Sequence, residues 1–179
     1  MIIPYKQSVV NTITNSYFPN LWKIYETAFP WSERRDLDSQ NRIFTNPNYF
    51  LEIWTDKDMV LGFIGWWKCI DLLYVEHFAI HPNYRSQGYG QLFLSEWIAK
   101  KKMPIILEIE PVMDKLTLRR QKFYHRLGFK TNNIVHVQPP YHKDTEALNL
   151  WLMSYPHLIL KNQYAVLKNQ QLTEIIGNL

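Results

Sequence analysis

Chemistry-bearing residues concentrate at Arg85-Ser86-Gln87-Gly88-Tyr89-Gly90, a run set between a predicted strand and an amphipathic helix. Two glycines one residue apart let the main chain approach a ligand closely. The free N–H groups of a helix start, with its positive dipole end, make an anion site. Arg85 can add a charge-assisted contact to a phosphate. The run is not a P-loop, because Gly90 is followed by Gln91 and Leu92 rather than Lys and Ser/Thr. Nor is it a dinucleotide fingerprint, because Phe93 stands where the third glycine belongs. A tight strand–helix turn with no ligand is the alternative reading of the glycines alone.

Titratable groups flank this loop. Side chains alternate along a strand, so Tyr74, Glu76, Phe78 and Ile80 share one face and His77 lies on the other, as a histidine of the core or one that supports a site residue from behind. Glu108 and Glu110 share a face of a later strand. His81, before Pro82, reads as a turn residue. The histidines show no HExxH or similar spacing, so no metal is expected. Cys69 lies in an apolar strand with no histidine in register, which argues against a covalent acyl-cysteine. Arg34 and Arg35 read as helix-surface salt-bridging residues, with an acceptor carboxylate as the other possible partner.

The longer run Val75-Glu76-His77-Phe78-Ala79-Ile80-His81-Pro82-Asn83-Tyr84 leading into the glycine loop resembles the acetyl-CoA-binding motif of GNAT N-acetyltransferases. Phe123-Tyr124-His125-Arg126-Leu127-Gly128-Phe129 resembles the same family's FYxxLGF helix end, and a helix and a strand separate the two motifs as that family requires. Many members carry Asn seven residues before the helix tyrosine and Ala four before it. This chain has Thr117 and Arg120 there, and Arg120 is expected to meet a phosphate or an acidic neighbour. Phe29-Pro30-Trp31-Ser32-Glu33-Arg34-Arg35 and Gln138-Pro139-Pro140-Tyr141 resemble segments of a subgroup of bacterial GNAT proteins, without implying a substrate.

The resemblance implies acetyl-CoA as acyl donor and direct transfer to a primary amine. That reaction needs loss of the ammonium proton, a donor for the oxyanion, and an acid for the departing thiolate. By resemblance, main-chain groups at Phe78, Ala79 and Ile80 hold the pantetheine and Arg85, Ser86, Gln87, Gly88, Tyr89 and Gly90 hold the pyrophosphate. Tyr124 matches the family's general acid; a phenol of pKa about 10 keeps its proton at neutral pH. A core tyrosine is the bland alternative. Glu76 matches the strand carboxylate that serves many members as base, with a structural ion pair as its alternative and Glu108 and Glu110 as rivals.

The elements that must position these groups follow from periodicity. Residues 20–46 read as two helices broken at Phe29-Pro30-Trp31, with Ser32 as N-cap of the second. Strands are expected at 49–54, 60–70 and 72–80, then a helix at 88–101, a strand at 105–110 and a helix at 114–127 stopped by Gly128. Strands from Phe129 and at 148–153 precede a C-terminal helical tail. Its stripes are Leu160, Tyr164 and Leu167, then Leu172, Ile175, Ile176 and Leu179. The order ααβββαβαββα is α/β: a GNAT-like mixed, mostly antiparallel sheet flanked by helices, with a C-terminal helix.

Composition fits one domain over residues 1–179, with 46% hydrophobic and 15% aromatic residues. Net charge is 20 − 16 = +4, without the basic stripe of a nucleic-acid binder. A single cysteine excludes an internal disulfide. The N-terminus lacks a signal pattern, and no apolar run reaches the roughly 18 residues of a membrane span. The expectation is a cytoplasmic monomer or homodimer acting on a small-molecule or peptide amine, with no nucleic-acid or membrane partner. A non-catalytic acyl-CoA-binding sensor or interaction module is the alternative function.

Overall fold

The computed structural model describes residues 3–170. Strands β2 (Tyr49–Asp56) and β3 (Met59–Lys68) form the expected antiparallel hairpin. Its turn is tight, and Lys57 enters the left-handed region at φ 51° to close it. Strand β4 (Leu73–Ile80) follows, and β5 (Ile105–Ile109) runs parallel to it through Leu73↔Ile105, Tyr74↔Ile106 and Val75↔Leu107. Strands β6 (Lys130–Thr131) and β7 (His136–Gln138) both pair antiparallel with β8 (Leu148–Tyr155), which in turn pairs antiparallel with β5. The hydrogen-bonded order is β1-β2-β3-β4-β5-β8-β6, with β7 on β8. The expected mixed, mostly antiparallel class holds.

Strand β1 (Lys6–Val9) was not legible in the sequence. Its four residues, KQSV, carry no apolar alternation and gain their ladder only by pairing with the edge of β2. The helical pair at the start also differs in detail. Helix α1 (Phe18–Ala28) buries Phe18, Leu21, Ile24 and Tyr25 and ends at an extended Phe29, as the following proline demands. Ser32 is not the next N-cap; it lies in a 3-10 turn, Trp31–Glu33. Asp36 caps α2 (Leu37–Ile43) instead, its carboxylate accepting from the Ser39 N–H at 2.6 Å.

The chain forms two compact units, Met1–Trp67 with Glu76–Lys101, and Lys68–Val75 with Lys102–Leu179. In the first, α3 (Tyr89–Ala99) buries Phe93, Leu94, Trp97 and Ile98. Phe93 stacks on the fully buried Trp54 with 4.7 Å between centroids, a ring pair contributing about 0.5–1.5 kcal/mol beyond its area.

In the second, Ile105, Ile106, Leu107 and Ile109 of β5 and Leu152 and Met153 of β8 supply the core. Helix α4 (Lys115–Arg126) starts on a reciprocal cap, in which Asp114 accepts from the Thr117 N–H and Thr117 accepts from the Asp114 N–H. Gly128, at φ 90°, stops it. Helix α5 (Lys161–Gln170) belongs to the expected C-terminal helical tail and buries Leu167. Leu160 is exposed, and the second stripe, Leu172 to Leu179, lies outside the described residues. Among the described residues no helix is long and apolar enough to cross a membrane.

Candidate active site

Backbone direction decides what β4 offers a ligand. The His81 N–H donates to Leu61 O at 2.9 Å, so His81 faces β3. A Cβ on Gly62 would lie 2.8 Å from Ala79 O, so Ala79 faces β3 too. Main-chain groups alternate along a strand, which turns those of Glu76, Phe78 and Ile80 to the opposite edge. Of the three residues expected to meet the pantetheine, Phe78 and Ile80 keep that possibility. The Ala79 carbonyl is turned to β3. Ile80 O already accepts from Arg85 Nε at 2.9 Å.

The glycine loop follows a 3-10 turn, Pro82–Tyr84, capped by His81, whose Nδ1 accepts from the Asn83 N–H. Ser86 and Gly88 both have positive φ, 63° and 91°. Gly88 is the N-cap of α3 and supplies no side-chain cap, and a Cβ there would meet nothing within 4 Å. An exposed helix start with its orphan donors and open space is thus on hand for an anion. Arg85 is held at the loop's edge by Ile80 O, and Gln87 is tied to Asn83 O at 2.7 Å. The Tyr89 side chain is buried against Tyr84 and Phe93, and its oxygen accepts from the Ile3 N–H at 2.9 Å. Only its main chain is left for a ligand.

Glu76 is an anchored carboxylate. Arg35 grips it with both terminal nitrogens, Nη1 to Oε2 at 2.9 Å and Nη2 to Oε1 at 2.6 Å. The Trp67 indole N–H also donates to Oε2 at 2.9 Å. Both charged side chains are fully buried, so the residual exposure of residue 76 belongs to its main chain. Burial alone would raise the Glu76 pKa; the charges of Arg35 and His77 and the hydrogen bonds from Arg35 and Trp67 outweigh it and hold the carboxyl below its ordinary value. This is the ion-pair arrangement. Arg35 is likewise no surface residue, whereas Arg34 lies over the Trp31 ring and 3.6 Å from Glu26. No sequence signal links Arg35 to Glu76, 41 positions away.

His77 is a core histidine as expected, edge-on to Tyr25 and Phe29, with Nε2 2.9 Å from Glu33 O. Cys69 is buried. No group of three or more His, Cys, Asp or Glu among the described residues could hold a metal ion.

In the second unit, Tyr124 is the one buried residue of α4. Its ring packs edge-on against Phe123 and Phe129. Burial, partly countered by Arg120 and reinforced by Glu110, pushes its phenol up to about 12. Arg120 meets the acidic neighbour, Glu110, in an ion pair. Thr117 is spent on the helix cap. Glu108 accepts from the Tyr74 hydroxyl at 2.7 Å and pairs with His136. Sequence reasoning missed His136, because nothing in its spacing points to a strand 28 residues back.

Residues 43–131 match the family model described as an acetyltransferase (GNAT) domain. A Bacteroides thetaiotaomicron structure, described as from the GNAT family, is 29% identical, with a TM-score of 0.86 over 98% of this chain and 99% of that one. The ribosomal-protein-S18-alanine N-acetyltransferase of Escherichia coli is 19% identical, TM-score 0.61, over 88% and 96% of the two chains. YncA of Salmonella typhimurium, solved with its cofactor acetyl-CoA, is 17% identical, TM-score 0.58, over 88% and 97%. The last two share the fold. No curated protein matches the chain.

Proposed function

Since the chain belongs to the GNAT acetyltransferase family, we propose that residues 1–179 act as one acyltransferase domain that moves the acetyl group of acetyl-CoA directly to a primary amine. The observation that carries this reading is the glycine loop: Ser86 and Gly88 at positive φ in front of an α3 start with no side-chain cap. Its main-chain donors suit the pyrophosphate. The main-chain groups of Phe78 and Ile80 suit the pantetheine, with a main-chain N–H there as donor to the thioester oxygen.

Tyr124 is assigned as the acid. A phenol at about 12 is fully protonated at neutral pH and can give its proton to the thiolate as the C–S bond breaks. Glu76 receives a positioning part. Both its oxygens are held by donors, and a carboxyl of lowered pKa is a poor proton acceptor. Its bond to Arg35 fixes the β4 residue beside Phe78. The acceptor is a small-molecule or peptide amine, and the site of action is the cytoplasm.

The test is thiol release from acetyl-CoA with a panel of amines: a peptide starting with alanine, a lysine side-chain amine, an aminoglycoside and a polyamine. The reading expects thiol release matched by N-acetylated product with at least one of them. Binding of acetyl-CoA without release across this panel and a wider amine library would favour an acyl-CoA sensor.

A further inference from the structure

The net charge of +4, expected to form no basic stripe, is concentrated on one helix. Helix α4 holds five of the chain's twenty Lys and Arg and none of its sixteen Asp and Glu. The rest of the chain sets fifteen cations against sixteen carboxylates, so the whole positive excess sits in these twelve residues. Lys115, Arg119, Lys122 and Arg126 are all exposed. They stand at i, i+4, i+7 and i+11. At 3.6 residues per turn they fall within about 60° around the axis and run about 16 Å along it. The buried Tyr124 lies on the opposite face.

This stripe breaks two local rules. Like charges three and four residues apart on a helix repel, and Lys115–Arg119, Arg119–Lys122 and Lys122–Arg126 are all such pairs. A cation at a helix start opposes the dipole, yet Lys115 is the first residue of α4 and the first turn holds no acid. The preceding Asp114 is taken up by the cap, accepting from the Thr117 N–H at 2.8 Å. Among the described residues Lys115, Lys122 and Arg126 have no ion-pair partner. Arg120, on another face of the helix, has Glu110. Broken local rules of this kind mark functional surfaces, and an anionic chain laid along α4 would relieve both repulsions.

The flanks decide what kind of anion. Leu116, 63% exposed, and Leu118 border the stripe, one on each side. Helix α4 has no exposed aromatic ring, so the bases of a nucleic acid would find no stacking platform there. An acidic helix supplies both complements. Carboxylates at i, i+4, i+7 and i+11 repeat the cation spacing, and apolar residues beside them meet the leucines. Exposed ion pairs each contribute little, so selectivity comes from the register of the charges together with the leucine contacts.

We infer that the outer face of α4 is a docking surface for an acidic, amphipathic helical segment of a partner protein. It involves residues that have no part in the acyl transfer, and it stands whether or not that transfer occurs.

The probe is a fluorescein-labelled synthetic peptide of about 18 residues, long enough to hold a helix, with Glu at i, i+4, i+7 and i+11 and Leu beside them. A shuffled peptide of the same composition and a single-stranded RNA of equal charge are the controls. Anisotropy titrations at about 50 and 200 mM salt compare three proteins: wild type, a triple variant combining Lys115→Gln, Lys122→Gln and Arg126→Gln, and Leu116→Ala. Glutamine and alanine keep helix propensity. Thermal melts and acetyl-CoA calorimetry accompany each titration. The patterned peptide should bind wild type at least about tenfold tighter than the shuffled one, and more weakly as salt rises. The triple variant should lose about tenfold or more in peptide affinity, as three exposed pairs would give. Its acetyl-CoA affinity should be unchanged and its Tm no lower, since the repulsion is relieved. Leu116→Ala should lose a few-fold in peptide affinity at either salt concentration.

Equal binding of the two peptides overturns the docking surface, because charge alone would then suffice. Tighter binding of the RNA than of the patterned peptide overturns it in favour of a nucleic-acid surface. A matching loss of acetyl-CoA affinity in the triple variant overturns it by assigning the stripe to the acyl donor. Wild-type peptide affinity in the triple variant, or no peptide binding by wild type at the lower salt, removes it outright.

Discussion

Arg35 and Glu76 form a bidentate pair, with Nη1–Oε2 and Nη2–Oε1 at 2.9 and 2.6 Å and neither side chain exposed. A guanidinium matches a carboxylate in this fork geometry, and the Tyr49 and Trp67 rings lie beside its cationic carbon. The pair ties the segment after α1 to the centre of β4. That is the strand whose next residues lead into the glycine loop.

Removing one partner leaves the other charge buried. Glu76→Gln should therefore cost about 3–5 kcal/mol of stability, a drop in Tm of roughly 6–20 °C for a chain of this size. The pH dependence has a fixed sign. The Glu76 carboxyl is held below its unfolded value. Its contribution is fully present above about pH 4.3, the ordinary glutamate value, and is lost as pH falls through the folded value. Thermal melts of wild type and variant between pH 3 and 7 should converge at the acid end. A variant as stable as wild type at pH 7 would remove the anchoring role.

Tyr124→Phe keeps the ring packing against Phe123 and Phe129 and deletes only the hydroxyl. The expected result is a fall in kcat of about 10²–10⁴-fold with acetyl-CoA affinity little changed. With its phenol raised to about 12, Tyr124 should give the wild type no alkaline limb of its own below about pH 11. An unchanged kcat, measured where chemistry limits the rate, would assign Tyr124 to packing.

Gly62 of β3 lies hard against Ala79 and Ile80 of β4. A Cβ there would stand 2.8 Å from both Ala79 O and Ile80 Cδ1. Because one of these atoms is main chain, Gly62→Ala must push β4 aside. An overpacking cost of about 1–3 kcal/mol is expected. The displaced Phe78 and Ile80 main chain should also weaken acetyl-CoA binding. Calorimetry on the folded variant checks this; wild-type affinity would separate β4 from the pantetheine.

The glycine loop, the helix stop at Gly128 and the strand pattern of the middle of the chain were legible because their rules are local. Positive φ calls for glycine, and alternation fixes a strand's faces. Strand β1 was illegible because KQSV has no pattern of its own and depends on the β2 edge. The destination of each charged side chain was equally hidden. Arg35 looks like a helix-surface cation until the fold brings Glu76 to it. Glu108 looks like any strand carboxylate until β7 supplies His136. Charge pairing across tens of residues is a tertiary property, and spacing carries no trace of it.

The most direct measurement is a calorimetric titration of acetyl-CoA into the wild type and into Gly88→Asp. Gly88 caps α3 at φ 91° with open space where a side chain would project. Aspartate there brings bulk, left-handed strain and a negative charge to the helix start that is assigned to the pyrophosphate. Stoichiometric binding to the wild type, and loss of at least tenfold in affinity for a variant that still melts cooperatively, is the predicted result. Equal affinities, or no binding by the wild type, would contradict the account.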